Sequence, residues 1–288
     1  MRPTARATDE PTISPEGASV SSRAIASSHS WQRILAVARA CWVEARRDRF
    51  HDSLLLFALM VIAAALLLGQ ISVGQERKIL IDVGLSAIRI FGALLAIFLG
   101  LALTGRDIEQ RTVYMLLSKP LGRGELLLGR FVGGAVTLGA SVTFMTAAVL
   151  LALTFLTRSV TSLHAIIVPA AFLLYLQALL VLALALLFAT FSTPVLSAIL
   201  TFVLFLIGHL TSDFAHLAET VDSPGVALLC RMLYYTLPNF QNFNFITAVA
   251  HGQELALSLV GKVSLYAILY GGILLLVAVM IFERREFR

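Results

Sequence analysis

The fold follows from residues 163–211, which read LHAIIVPAAFLLYLQALLVLALALLFATFSTPVLSAILTFVLFLIGHLT. It contains no Asp, Glu, Lys or Arg, and its first part exceeds the roughly 20 apolar residues that a helix needs to cross a bilayer. Pro194 and the small polar residues before it predict a tight turn, because proline cannot continue a helix. The stretch therefore predicts two membrane helices, 163–190 and a short one over 195–211, joined by a turn.

The composition of the whole chain supports a membrane protein. Of 288 residues, 58% are hydrophobic and 14% are charged, against about 25% charged residues in soluble domains. The mean hydropathy is +0.88, which rules out a soluble globular domain, a disordered protein and a coiled coil. Backbone polar groups in lipid must be satisfied within each segment, so the fold class is an all-α integral membrane protein. The apolar runs do not alternate, which argues against a β-barrel.

Four further apolar stretches bring the prediction to six transmembrane helices, and they lie at 53–71, 85–104, 131–156 and 261–282. Loops on one side carry 13 Lys and Arg, and loops on the other side carry 5. This bias predicts that both termini are cytoplasmic. Residues 1–28 are predicted to be a disordered cytoplasmic tail. Residues 51–288 form the transmembrane domain, with an inner loop at 105–130 and an outer loop at 212–260.

Residues 29–50 have an amphipathic pattern. Trp31 and Trp42 recur at helical spacing with other apolar residues, while Arg39, Arg46 and Arg47 occupy the other side. Such a pattern is typical of a helix in the membrane interface. The alternative is an ordinary positively charged flank of the first span.

The inner loop at 105–130 is rich in charge. Its first part is predicted to be a helix that ends at Lys119 and Pro120, and Arg123 follows the stop. The charges on the polar side of this helix are Arg106, Asp107, Glu109 and Arg111. A charged helix at the membrane surface suits a cytoplasmic protein partner, whereas the alternative is a solvated loop.

The outer loop at 212–260 is rich in aromatic residues around Pro238, and aromatic residues favour the membrane interface. The candidate residues are Tyr234, Tyr235, Pro238, Asn239 and Phe240. Their density predicts short interfacial or re-entrant helices. A plain loop with hydrophobic anchors is the alternative.

Polar residues inside the predicted spans are few. Gln177 and His209 are the notable ones, and Arg89 is predicted to lie near the outer end of its span, where it can snorkel. His209, Asp213 and His216 have the i, i+4, i+7 spacing of one helix face, and two imidazoles with a carboxylate would suit zinc. The alternative is a polar helix end that meets water, and no metal is assigned.

Known catalytic patterns are missing from the chain. The nearest approach to a P-loop is Gly124-Glu-Leu-Leu-Leu-Gly129-Arg130-Phe131, which has Arg and Phe where Lys and Ser or Thr are needed. We therefore expect no catalytic residue, no cofactor and no nucleic-acid partner. An enzyme would have to use the His209, Asp213 and His216 set.

Small residues recur at a spacing of four in Ala96/Gly100/Thr104, Gly129/Gly133 and Ala135/Gly139. Such spacing lets helices approach closely in lipid. The alternative is that it reflects only a composition rich in glycine and alanine.

Several motifs resemble the ABC-2-type permeases, which are membrane subunits of ATP-binding-cassette exporters. In the inner loop these are Glu109-Gln-Arg111-Thr112, Leu116-Leu-Ser118-Lys119-Pro120, Arg123 and Gly129-Arg130-Phe131. The runs at 237–244 and 282–287 are similar to the subgroup linked to maturation of the copper enzyme nitrous oxide reductase. The likeness covers about residues 31–288, and Arg130 stands where lysine is more usual.

The resemblance implies a permease homodimer with six spans per copy and two copies of a separate cytoplasmic ATPase subunit, which carries ATP and Mg²⁺. It implies that residues 30–50 form a connecting helix, that 105–118 form a coupling helix, and that the external loop closes an outer gate. It also implies a bacterial inner membrane and allows a periplasmic accessory protein. Two other functions stay open from the residues alone: a membrane anchor for a cytoplasmic enzyme, and a metal-dependent membrane enzyme.

Overall fold

A computed structural model describes residues 32–45, 49–71, 74–110, 122–158, 162–221 and 223–284. Predictions for the remaining residues, including the tail at 1–28, lie outside this part of the chain. The described residues fold into helices over 32–45 (α1), Arg49–Ile71 (α2), Glu76–Gln110 (α3), Arg123–Thr157 (α4), Ser162–Phe191 (α5), Pro194–His209 (α6), Thr211–Thr220 (α7), Pro224–Thr236 (α8), Ile246–Ala250 (α9) and Leu257–Arg284 (α10). A 3-10 helix covers Phe240–Phe243.

Within the described residues, five helices are long and apolar enough to cross a membrane, namely α2, α3, α4, α5 and α10. The sixth predicted stretch is α6, an apolar helix of 16 residues. At 1.5 Å per residue, α6 is about 24 Å long, less than the roughly 30 Å of a hydrocarbon core. The turn predicted between α5 and α6 is confirmed, since α5 ends at Phe191 and α6 begins at Pro194.

The α5 helix lies at the centre of the bundle. It packs against α3, α4, α6 and α10, and it is apolar on every side, as a helix buried in a membrane protein should be. Small residues let α3 approach α5 closely. A Cβ on Gly100 would collide with Ala185, and Gly92, two turns earlier on α3, faces Ala178. The close approach predicted from the small residues around Gly100 is therefore confirmed.

The α1 helix runs alongside the beginning of α4. Val37 packs on Gly129, and Cys41 packs on Gly133. A step of four residues towards the C-terminus of α1 therefore corresponds to a step of four residues towards the C-terminus of α4. The two helices are therefore close to parallel at this contact. A helix within 29–50 is confirmed, and the small side chains of Ala38 and Cys41 are buried against protein. Its position in the membrane interface stays a prediction.

The α3 and α4 helices are longer than the spans predicted for them. Each has 35 residues, or about 52 Å, so both extend beyond a hydrocarbon core of about 30 Å. Gly105 does not stop α3, since an isolated glycine is tolerated in a helix. Arg106, Asp107 and Glu109 therefore belong to the last turns of α3 itself, where a separate coupling helix over 105–118 was expected.

The packing of α1 on α4 generates a test. A Cβ at Gly133 would lie 2.7 Å from the Cys41 Cβ and 2.8 Å from the Ala38 carbonyl oxygen. We expect Gly133→Ala to destabilise the protein by about 1–3 kcal/mol, because overpacking forces the helices apart. A thermal unfolding midpoint measured in detergent reports the change.

The matched control is Gly139→Ala on the same helix, where a Cβ would meet Tyr175 at an ordinary 3.5 Å. We expect this variant to stay close to the wild-type midpoint. Equal midpoints for the two variants would contradict the close contact of α1 with α4.

Candidate functional site

The predicted functional residues lie at the two ends of the bundle. We call the end where α3 ends, α4 begins and α10 ends the C-terminal end, and we call the opposite end, which carries residues 210–256, the loop end. The Gly124 position at the start of α4 lies next to the Glu283 carboxylate near the end of α10. The bundle therefore has one end where helices meet directly and one end closed by short helices.

At the C-terminal end, Glu125 links three parts of the chain. Its carboxylate accepts a hydrogen bond of 3.3 Å from the backbone N–H of Gly122, just before α4. The same oxygen lies 3.8 Å from the Arg33 guanidinium of α1. An acidic group in the first turn also complements the helix dipole. Glu125 thus ties α1 to Gly122, the residue that precedes α4.

Arg130 is a second charged residue of α4 that interacts with α1. Its side chain is only 6% exposed, and it interacts electrostatically with Cys41 and Glu44 of α1. Burying a charge costs free energy unless an opposite charge compensates it, so removing the Glu44 carboxylate would destabilise the folded protein. Burial raises the pKa of the Cys41 thiol, with Arg130 partly opposing the rise. Cys41 is therefore a neutral packing residue near pH 7.

Most of the predicted coupling and connecting residues have no described side chain. Arg39 is exposed and Trp42 is half-buried on α1. Arg106, Asp107, Glu109 and Arg123 lie within described helices, but their side chains are outside the described part of the structure. The residues wholly outside it are Trp31, Arg46, Arg47, Arg111, Lys119 and Pro120. Their proposed contacts with an ATPase stay predictions.

At the loop end, the segment around Phe240 is folded into the bundle. The Phe240 side chain is fully buried, and its ring centroid lies 5.6 Å from that of Phe205 on α6. Gly208 is in direct contact with the Phe240 ring and the Pro238 carbonyl, which leaves no room for a side chain there. We call Pro238, Asn239 and Phe240 the plug segment.

A hydrogen bond ties the plug segment to α10. The backbone N–H of Asn239 donates to the Tyr266 hydroxyl at 2.9 Å, and the Asn239 side chain accepts from the Gln241 N–H at 3.1 Å. Three of the predicted gate residues thus come together. Tyr234 and Tyr235 instead pair with each other on α8, and Tyr235 is 80% exposed. The short helices expected in this loop are present.

His209 interacts with α5 and with its own helix. Its Nδ1 lies 2.8 Å from the Phe205 carbonyl oxygen, so Nδ1 carries the proton and donates. The Nε2 atom then accepts from the Gln177 side-chain amide at 3.1 Å. Both ring nitrogens are thereby occupied. The second amide atom of Gln177, Oε1, is buried without a hydrogen-bond partner in the described part of the chain.

The prediction that His209, Asp213 and His216 share one helix face is wrong. The α6 helix ends at His209, and α7 begins at Thr211 after a break at Leu210. The apolar run stops at this point and the sequence becomes polar, so the chain turns where it leaves the apolar bundle. Asp213 is exposed, and the His216 side chain is outside the described residues. Among the residues that are described, His, Cys, Asp and Glu form no group of three suited to a metal ion.

An open groove of about 480 Å³ lies between α4 and α5, lined by residues such as Gly139, Thr146 and Phe172. The hydroxyls of its wall are already used. Thr146 donates to the Val142 carbonyl at 2.7 Å, and Tyr175 donates to the Ala135 carbonyl at 3.1 Å. The groove therefore presents an apolar surface suited to lipid chains and no reactive group.

Sequence reasoning missed two functional features of this architecture. The Arg33–Glu125 ion pair and the electrostatic interaction of Arg130 with Glu44 join α1 to α4. Only the Gly129/Gly133 spacing indicated that a helix would pack there. The partnership of Gln177 and His209 was also missed. Both residues were noted as rare polar groups within apolar spans, and they lie at similar distances from the turn between α5 and α6, which is the signal that could have paired them.

The comparison with known proteins agrees with this architecture. A family model described as ABC-2 family transporter protein matches residues 35–287, which takes in both ends of the bundle and all the helices from α2 to α10. A search of curated proteins found no match. Members of the family are membrane components of ATP-binding-cassette transporters that associate with an ATPase subunit and are not themselves catalytic. The chain therefore belongs to the ABC-2 family of transporter proteins and is an integral membrane permease component of an ATP-binding-cassette transporter.

Proposed function

We propose that this chain is the permease of an exporter driven by ATP hydrolysis on a separate cytoplasmic ATPase. Two copies of the permease would pair with two copies of the ATPase, in a bacterial inner membrane with both permease termini in the cytoplasm. The permease would have six spans, with α6 as the short one. A periplasmic accessory protein is an allowed addition, and the likeness to the copper-enzyme subgroup stays a prediction because the family match carries no information about cargo.

The observation that carries this proposal is the attachment of α1 to the start of α4, which begins within the second part of the charged inner loop at 105–130. Glu125 is bonded to Gly122 at the loop boundary and paired with Arg33, and α1 packs on Gly129 and Gly133. A force applied to the inner loop would therefore move α1 and α4 together. Close-packed interfaces transmit such displacements because they are not continuously deformable.

The plug segment supports an outer gate. The plug segment contacts α5, α6 and α10. Its position against Gly208, which we call its seat, therefore depends on the relative positions of these three helices. When ATP binding on the partner moves α4, which packs on α5 and α10, those positions change. The plug would then leave its seat at Gly208 and open a path to the outside for cargo.

The first experiment is affinity purification of the chain from its native membrane, with mass spectrometry of the proteins that accompany it. We expect a stoichiometric P-loop ATPase. A lone homo-oligomer, even after mild cross-linking, would favour the membrane-anchor function.

Charge reversal in the inner loop tests coupling. We expect Glu109→Arg and Arg111→Glu each to lower transport by about 30-fold or more, because loss of a charge pair at the proposed ATPase interface would cost about 2–5 kcal/mol. Membrane insertion and ATP hydrolysis should persist. Transport and ATPase rates of the reconstituted complex are compared, with Glu219→Arg at the exposed loop end as the control. Unchanged transport in both inner-loop variants would contradict the role of the loop.

Cysteine labelling tests the orientation. In a Cys41→Ala, Cys230→Ala background, we expect Gln241→Cys to react with a membrane-impermeant maleimide in intact cells, because Gln241 is exposed at the loop end. Arg39→Cys, exposed on α1, should react only after the membrane is opened. The reverse pattern would invert the proposed topology.

The seat of the plug segment is tested in the same background. Asn239 is 9% exposed, so Asn239→Cys should react slowly with the maleimide. Adding Gly208→Val should raise the labelling rate severalfold, because the new side chain collides with Phe240. Adding Gly225→Val, where a Cβ meets no atom within 4 Å, should leave the rate unchanged. Equal rates in the two double variants would show that Gly208 is not the seat.

A further inference from the structure

Arg89 lies deeper in its helix than the sequence predicted. Because α3 begins at Glu76, Arg89 is about 20 Å along the helix from the loop end. It lies one turn from Gly92, which faces Ala178 in the middle of α5. The helix thus begins nine residues before the span predicted at 85–104, and the expectation that Arg89 snorkels towards water stays a prediction. A charge at this depth is expensive unless it faces water or a functional site.

Arg89 continues a polar stripe on α3. Asp82, Ser86 and Arg89 have the i, i+4, i+7 spacing of one helix face, and Asp82 is exposed while the other two are half-buried. Arg89 is within electrostatic reach of Asp82 and of the His209 ring. In the described part of the structure, no hydrogen bond or salt bridge engages its guanidinium.

The α6 helix is too short to run along the whole of this stripe, on which Asp82 is exposed while Ser86 and Arg89 are half-buried. The α6 helix packs on α3 and ends at His209, which is hydrogen-bonded to Gln177 on α5. Gln177 precedes Ala178, the residue that faces Gly92. The end of α6 is therefore nearly level with Arg89, and the turns of α3 between Arg89 and the loop end extend beyond it. The result is a polar face that begins at the loop end and reaches about 20 Å along the bundle.

We propose that this face of α3 binds an anionic group of the cargo, a phosphate, carboxylate or sulfate, with Arg89 as the anion-binding residue. The proposal rests on the proposed export function and adds a class of substrate to it. A guanidinium presents a planar fork of donors that matches these groups with two hydrogen bonds. Ile90, 48% exposed beside Arg89, offers apolar surface for an attached chain. Asp82, two turns closer to the loop end, opposes a second negative charge.

Equilibrium binding to the purified full-length permease in a neutral detergent tests the proposal. The probes are dioctanoyl phosphatidic acid, dioctanoyl phosphatidylcholine and inorganic phosphate. We expect phosphatidic acid to bind about tenfold more tightly than phosphatidylcholine, the ratio that corresponds to one good charge-assisted contact. Displacement by inorganic phosphate would identify a site for free anions, and its failure to compete would identify a site for an anionic head group.

Variants of opposite sign separate binding from stability. Arg89→Gln should abolish the preference for phosphatidic acid, and Arg89→Lys should keep part of it. Asp82→Asn should strengthen phosphatidic acid binding, because it removes a repelling charge. Arg77→Gln, an exposed arginine of the same helix, should leave binding unchanged. If Arg89→Gln lowers the thermal midpoint but keeps the preference, Arg89 serves only to stabilise the end of α6, and the inference is overturned.

The same probes separate this inference from the export function. Binding is measured on the permease alone, so it does not depend on the ATPase. If an ATPase copurifies but phosphatidic acid shows no preference that depends on Arg89, the anion site is wrong and the export function stands. If the preference is found but no ATPase accompanies the chain, the site stands and the export function fails.

Discussion

The need to satisfy every backbone polar group within its own helix governs this protein. In a hydrocarbon core, unpaired N–H and C=O groups cost several kcal/mol each, so the apolar stretches become helices. Lipid offers no hydrophobic drive for those helices to associate, and close contact of small residues takes its place. Gly92 and Gly100 allow α5 to pack closely on α3, and Gly129 and Gly133 allow α1 to pack closely on α4. These close contacts at glycines set which helices of the bundle are neighbours.

The same constraint explains where polar side chains go. Thr137, Ser141 and Thr146 are buried on α4, and each hydroxyl donates to the carbonyl one turn earlier. These groups are satisfied locally and leave the helix surface apolar. Gln177 and His209 are hydrogen-bonded to each other between α5 and α6. Arg89 stands apart, because its charge sits in a half-buried position near the middle of the apolar stretch Glu76–Leu103.

The two ends of the bundle are built from different interactions. At the C-terminal end, the Arg33–Glu125 ion pair and glycine contacts fasten α1 to the start of α4. At the loop end, aromatic rings and one backbone hydrogen bond hold the plug segment between α5, α6 and α10. Both ends contact the same central helices. A transporter needs such a link, since an event on one side of the membrane must alter a seal on the other.

The sequence by itself determined the membrane class, the positions of the apolar helices and the turn at 191–194, because length and hydropathy are local properties of the chain. Its loop motifs also pointed to the ABC-2 family, which the match over residues 35–287 confirms. Three features became known only from the folded structure. The α3 helix continues through Gln110, and α6 ends at His209, which separates the three predicted metal ligands. The third feature is that Phe240 fills the space left by Gly208. The last of these outcomes depends on a contact between residues far apart in the sequence. A pattern read along one helix contains no information about what will pack against it.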